Sequence, residues 1–246
     1  MGTGRSGTSL ASGILNKAGY YMGENLMPAT PTNPKGFFES WDIEQINEDI
    51  LRKVVKNLPS LLDRFLRKNL HKGHYWLSRV GLGKQMVSDE SIHQRIERET
   101  ARAPFCFKDP RFTYTLPIWR PFLPGDTVFL CIFRHPAATS KSILKQIRGS
   151  SRLAYLKYDF NDTMKLWKSM YSHILEKHAG EGDWLFLHYD QLLGEEGINK
   201  IQKFTGAAVD REFPERKLNR SLPGETKIPN DVNDIYQHLC RLAGVE

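Results

Sequence analysis

The strongest constraint on the fold comes from short apolar runs alternating with helical patterns. "TVFLCIF" (127–133) and "WLFLHY" (184–189) are nearly continuous and rich in aromatic and branched residues, as buried parallel strands are. "FCFK" (105–108) has the same character and predicts a further strand. Between the first two runs lie helical patterns at about 136–147 and 161–178, the second carrying Met164, Trp167, Tyr171 and Leu175 on one face. Strand, helix, strand alternation of this kind predicts an α/β fold with a central parallel sheet flanked by helices. No repeat or low-complexity linker divides the 246 residues, so residues 1–246 read as one domain. A helical stretch is expected from about Asp42 to Leu66, broken at Pro59, with further helices in the charged region up to Arg102. A last helix is expected from Asn230, as N-cap, to Ala243, with Gly244 beyond it.

Composition narrows the function. No apolar run approaches the roughly 18 residues of a spanning helix, so no integral membrane segment is expected. The N-terminus lacks a signal-peptide pattern, so the expected location is cytoplasmic. Cys106, Cys131 and Cys240 have no metal-like spacing and read as buried thiols. The net charge of +7 fits an anionic ligand; a nucleic acid or a membrane surface fits it equally on charge alone.

Three segments carry candidate chemistry. In "GTGRSGTS" (2–9), Gly2, Gly4 and Gly7 permit close backbone approach, and the loop runs directly into an apolar helical pattern, Leu10, Ile14, Leu15 and Ala18. Amides at such a helix start form a nest for an anion. The spacing nearly matches the phosphate-loop pattern G-x-x-x-x-G-K-[ST], but Thr8 stands at the lysine position and the cation is Arg5. The plainer alternative is a tight turn capped by Ser6 or Thr8. In "CIFRHPAATSKSI", a strand delivers Arg134 at its carboxyl end, where ligands of open parallel sheets gather, and Ser142 follows eight residues later on the next helix. The alternative is an arginine paired with a carboxylate. In "CFKDPR", Lys108 or Arg111 faces an anion, or Asp109 and Arg111 lock the turn together.

Taken together, "GTGRSGTS", "NPKGFFE", "FKDPR", "LPIW", "FRHP" followed by Ser142, "LW" at 166–167 and "HYDQLL" resemble the bacterial sulfotransferase-like proteins, across most of the chain. The resemblance implies a P-loop-like three-layer fold and 3′-phosphoadenosine 5′-phosphosulfate (PAPS) as sulfuryl donor, with no metal. It implies that Gly4, Arg5, Ser6, Gly7, Thr8 and Ser9 hold the 5′-phosphosulfate, with Arg5 also catalytic. Arg134 and Ser142 would hold the 3′-phosphate, and Tyr189 would approach adenine, unless it is simply a core aromatic at a strand end. Glu39 of "NPKGFFES" becomes the expected base, with Phe37 and Phe38 giving it an apolar setting, unless it caps the following helix. Lys108 or Lys35 would assist the leaving oxygen, and His135 is a weaker candidate. The acceptor is expected to be a hydroxyl of a carbohydrate or glycolipid, or another small molecule, bound by a helical acceptor-side region at about 42–102. The basic segment 215–220 lies where relatives close over the 3′-phosphate, though a solvated charge run explains it as well.

The resemblance also implies an apolar strand immediately before the loop. Only Met1 precedes Gly2, so either that first core strand lies upstream of residue 1 or the loop is held differently. Two rival classes remain: a P-loop kinase or hydrolase, disfavoured by Thr8, and a basic nucleic-acid-binding protein, disfavoured by the lack of a long Lys/Arg run.

Overall fold

Two strands decide where the apolar faces go. The computed structural model describes residues 1–30, 33, 35–55, 70, 73–211, 213 and 226–245. Strands β1 (Val128–Phe133) and β2 (Asp183–His188) pair in parallel, Val128 opposite Asp183 and Phe133 opposite His188. The helices are α1 (Thr8–Lys17), α2 (Trp41–Val54), α3 (Glu90–Thr100), α4 (Phe112–Trp119), α5 (Pro136–Arg148), α6 (Phe160–His173), α7 (Glu195–Thr205) and α8 (Asn230–Ala243). Parallel pairing requires a crossover, which α5 and α6 supply. Local chemistry sets their starts: Pro136 occupies the first turn of α5, and Asp159 and Asp162 form a capping box at α6.

Successive strand residues point to opposite faces, and both faces are covered. Cys131, Phe133 and Phe186 pack with Trp167 and Tyr171 of α6 and Leu239 of α8. Ile132 and Leu187 pack with Ile14 and Leu15 of α1 and Ile201 of α7. Burial on both faces explains why these strands read as unbroken apolar runs, each fully buried large side chain contributing about 2 kcal/mol. The molecule is therefore a mixed α/β protein with a parallel sheet flanked by helices.

A second core lies among the helices of residues 41–119. Ile43, Ile46 and Ile50 of α2 meet Ile92 and Ile96 of α3 and Phe112, Leu116 and Trp119 of α4. Helix α2 begins at a Ser40 cap whose hydroxyl accepts the Asp42 N–H, and it ends at Val54. The rest of the helix expected to reach Leu66, with its break at Pro59, lies outside the described residues, as does the basic segment 215–220.

The structure corrects two expectations. The segment 105–108 is extended but is not a strand of the sheet: it makes one parallel bridge, Phe105 with Tyr21, through Cys106 N–H to Tyr21 O (2.8 Å) and Tyr21 N–H to Pro104 O (2.8 Å). Those bonds use one edge of the segment only. Its other edge borders a cavity of about 570 Å³ lined by Phe105, Phe107, Val128, Leu130 and Met1 among others, so no ladder forms there. At the last helix, Pro229 rather than Asn230 holds the cap position, and Asn230 is already helical.

The same cavity bears on how the glycine loop is held. Met1 lies beside β1 as one rung of a parallel ladder, its amine donating to Leu130 O and its carbonyl accepting the Ile132 N–H (2.9 Å). On the other edge of β1, Phe133 O accepts the N–H of Tyr189 (2.7 Å), just past β2. Residue 1 thus anchors the loop to the sheet. Among the described residues no helix is long and apolar enough to cross a membrane.

Candidate functional site

The loop between Met1 and α1 is built by close approaches that only glycine allows. A Cβ at Gly2 would lie 2.2 Å from Ile132 O, and one at Gly7 would lie 2.4 Å from the Tyr189 ring; both residues have positive φ. Inside the loop the Ser6 hydroxyl donates to Thr3 O (2.7 Å), and the Thr3 N–H meets the Tyr171 hydroxyl (3.4 Å), which itself donates to Ile132 O (2.8 Å). Ser6 therefore closes the loop on itself. Gly7 caps α1 with no side-chain bond, and the first turn carries no acid, so the amides that open α1 remain available to an anion.

Cations gather around that opening. Arg134 follows β1, is 9% exposed, and lays its guanidinium 4.4 Å above the Tyr189 ring, whose Cδ2 side lies against Gly7. Arg5 adopts a left-handed backbone, φ 69°, and donates from Nε to Ser142 Oγ (3.1 Å). Burial, and then the charge of Arg134, pull the Arg5 guanidinium below its ordinary pKa; burial does the same to Arg134. Among the described residues no carboxylate pairs with Arg5. Arg5 and Arg134 repel each other here, and an anion joining them would relieve that repulsion.

A second cluster sits at the first turn of α1. Lys108 Nζ, 7% exposed, donates to Ser9 Oγ (3.2 Å) and is ion-paired with Glu39. Phe38 packs its ring on Phe213 and against Gly13, on a left-handed backbone of φ 53°. Glu39 thus has a cation as its partner rather than the apolar setting expected, and Ser40, not Glu39, caps α2.

A family model described as Sulfotransferase family matches residues 1–211. The chain belongs to the sulfotransferase family. No curated protein and no solved structure matches it.

The sulfotransferase brings its expected residues together as two groups. Arg5, Gly7, Arg134, Ser142 and Tyr189 form one, and Ser9, Glu39 and Lys108 form the other; Arg5 bonds to Ser142 rather than to Lys108 or Glu39. Gly4 and Ser6 lie in the loop that joins them, and Thr8 opens α1. Lys35 turns to Phe213, with its ammonium 4.6 Å above that ring, and His135 accepts the Ala137 N–H (3.3 Å) as the cap of α5.

Arg111 answers the third sequence question. Its Nη1 donates to both oxygens of Asp109 (3.1 Å each), its Nη2 to Glu44 (3.1 Å) and to Gly73 O (3.2 Å), and its Nε pairs with Glu48. Burial opposes its charge, but Asp109, Glu48 and Glu44 outweigh burial and hold it above its ordinary pKa. Burial pushes the Glu44 carboxyl up to about 7. Arg111 is a structural clamp. Sequence reasoning missed Glu44 and Glu48, whose spacing on an amphipathic helix was the available signal.

Proposed function

We propose that this sulfotransferase moves a sulfuryl group from PAPS to a hydroxyl of a carbohydrate or glycolipid. The observation that carries this reading is the gathering of Arg5, Arg134 and Ser142 beside the glycine loop, with no carboxylate ion-paired to Arg5 among the described residues. The fit to the donor is chemical: two guanidiniums, a hydroxyl and a helix start suit a ligand with two separated phosphate groups, and Tyr189, beside them, is the aromatic that would approach adenine. Arg134 and Ser142 hold the 3′-phosphate, Gly4 through Ser9 hold the 5′ end, and Arg5, reaching both, neutralises charge on the leaving side. The arrangement also fits a P-loop-like nucleotide fold.

When bound, the donor supplies an activated sulfuryl group. Glu39 accepts the proton of the acceptor hydroxyl at a carboxylate oxygen, and Lys108, held by Ser9 and Glu39, keeps that carboxylate at the first turn of α1. A Glu39→Gln enzyme should bind donor normally and lose about a hundredfold or more in turnover; wild-type turnover would remove Glu39 as base.

Calorimetric titration with 3′,5′-adenosine bisphosphate, beside ATP and ADP, tests the donor. Binding of the bisphosphate alone, lost in Arg134→Ala, is the expected result. Equal binding of ATP, or binding indifferent to Arg134, would replace the 3′-phosphate reading with ordinary nucleotide binding.

A further inference from the structure

Gly4 differs from the other loop glycines in the reason it is glycine. Gly2 and Gly7 have positive φ, whereas Gly4 does not, so its backbone tolerates any residue. What excludes a side chain there is Trp76: a Cβ at Gly4 would lie 2.9 Å from Trp76 Cζ3 and 3.2 Å from Cε3. The six-membered ring of the indole therefore rests on the loop backbone. Trp76 comes from the acceptor side, in the turn Tyr75–Leu77, and that turn is itself held. Glu48 of α2 accepts the N–H of Gly73 (2.6 Å) and of Tyr75 (3.0 Å), and Arg111 donates to Gly73 O (3.2 Å) and pairs with Glu48. Tyr75 and Leu77, on either side of Trp76, are buried at 2% and 0% exposure. The next loop residue, Arg5, keeps a strained left-handed backbone, which persists only where its surroundings enforce it.

We propose that Trp76 is a positioning residue of the donor site, holding Gly4 and Arg5 in the anion-facing conformation and tying that conformation to the acceptor-side clamp of Glu48 and Arg111. The proposal rests on the reading of the loop as the donor-phosphate site. It deepens that reading by making the acceptor side a determinant of donor affinity through a single side chain.

A double-mutant cycle combined with ligand titration tests it. Gly4→Ala should lower the melting temperature by about 4 °C or more in the wild-type background and by less than about 2 °C in the Trp76→Ala background, where the ring is gone. Equal losses in both backgrounds would overturn the contact. At a temperature where every variant is folded, Trp76→Ala should weaken 3′,5′-adenosine bisphosphate binding about tenfold, and Trp76→Phe should restore most of it. Undiminished binding by Trp76→Ala, or no rescue by Trp76→Phe, would reduce Trp76 to a packing residue. If the wild type binds no bisphosphate, the donor reading fails and the donor-site role with it, while the melting cycle still decides whether Trp76 holds the loop.

Discussion

Arg111 and Arg134 stand at similar places in the sequence, each released as a charge just after an apolar run, and both are buried, at 2% and 9% exposure. Their surroundings are opposite. Arg111 is ringed by Asp109, Glu44 and Glu48, more negative charge than it can neutralise, and its remaining donor goes to a backbone carbonyl. Arg134 lies against an aromatic ring and beside a second arginine, Arg5, and Arg5 itself has no carboxylate ion pair among the described residues. One buried cation has three carboxylates paired to it; the other stands beside a second cation. Burial alone therefore does not tell these two arginines apart; the charges packed around them do.

The sharpest way to break this contrast is to remove each arginine and compare stability with ligand affinity. Arg111→Ala strands three carboxylates and should cost about 4 kcal/mol or more, with a large drop in melting temperature; Arg111→Lys, lacking the fork, should rescue it only in part. A melting curve close to wild type for Arg111→Ala would dissolve the distinction. Arg134→Ala should do the reverse, leaving the melting temperature near wild type while weakening the bisphosphate about a hundredfold, or about 3 kcal/mol. Calorimetry beside thermal denaturation reads both.

The clamp also predicts a pH dependence. Glu44 has a folded pKa of about 7 against an ordinary 4.5, so the folded state holds a proton that the unfolded chain has released. Stability from this group is fully present below about 4.5 and declines as pH rises toward 7, by on the order of 2 kcal/mol. Glu44→Gln should flatten that decline in melting temperature between pH 5 and 8; an unchanged slope would mean that the carboxyl is ionised throughout. The smallest effect is expected at Ser142. Its hydroxyl meets Arg5 at 3.1 Å, and Ser142→Ala should weaken the bisphosphate about tenfold or less with the fold intact.

What was legible in the sequence follows the range of the forces involved. β1, β2, α5 and the start of α1 are written in local periodicity and in Gly7 and Pro136, and they appear where expected. Segment 105–108 carries equally good local propensity, but a strand requires a partner on the ladder, and pairing is a property of distant residues. The same limit hides the site's pairings. Lys108 meets Glu39 across 69 positions and Arg5 meets Ser142 across 137, so local pattern nominates these residues without saying which would join. Whether Arg111 faced a ligand or a carboxylate was undecidable from "FKDPR", because two of its three acids come from α2. Trp76 was invisible for a related reason, since its meaning lies in an absent Cβ 72 positions away.

The bonds between residue 1 and β1 have a practical side. The backbone of Met1 sits between Leu130 O and the Ile132 N–H, and Met1 lines the cavity between β1 and the 105–107 edge. A bulky fluorophore introduced at position 1 enters that cavity as an interior wedge, altering the sheet it was meant only to mark, whereas a reporter on the exposed Leu242 of α8 leaves the sheet alone.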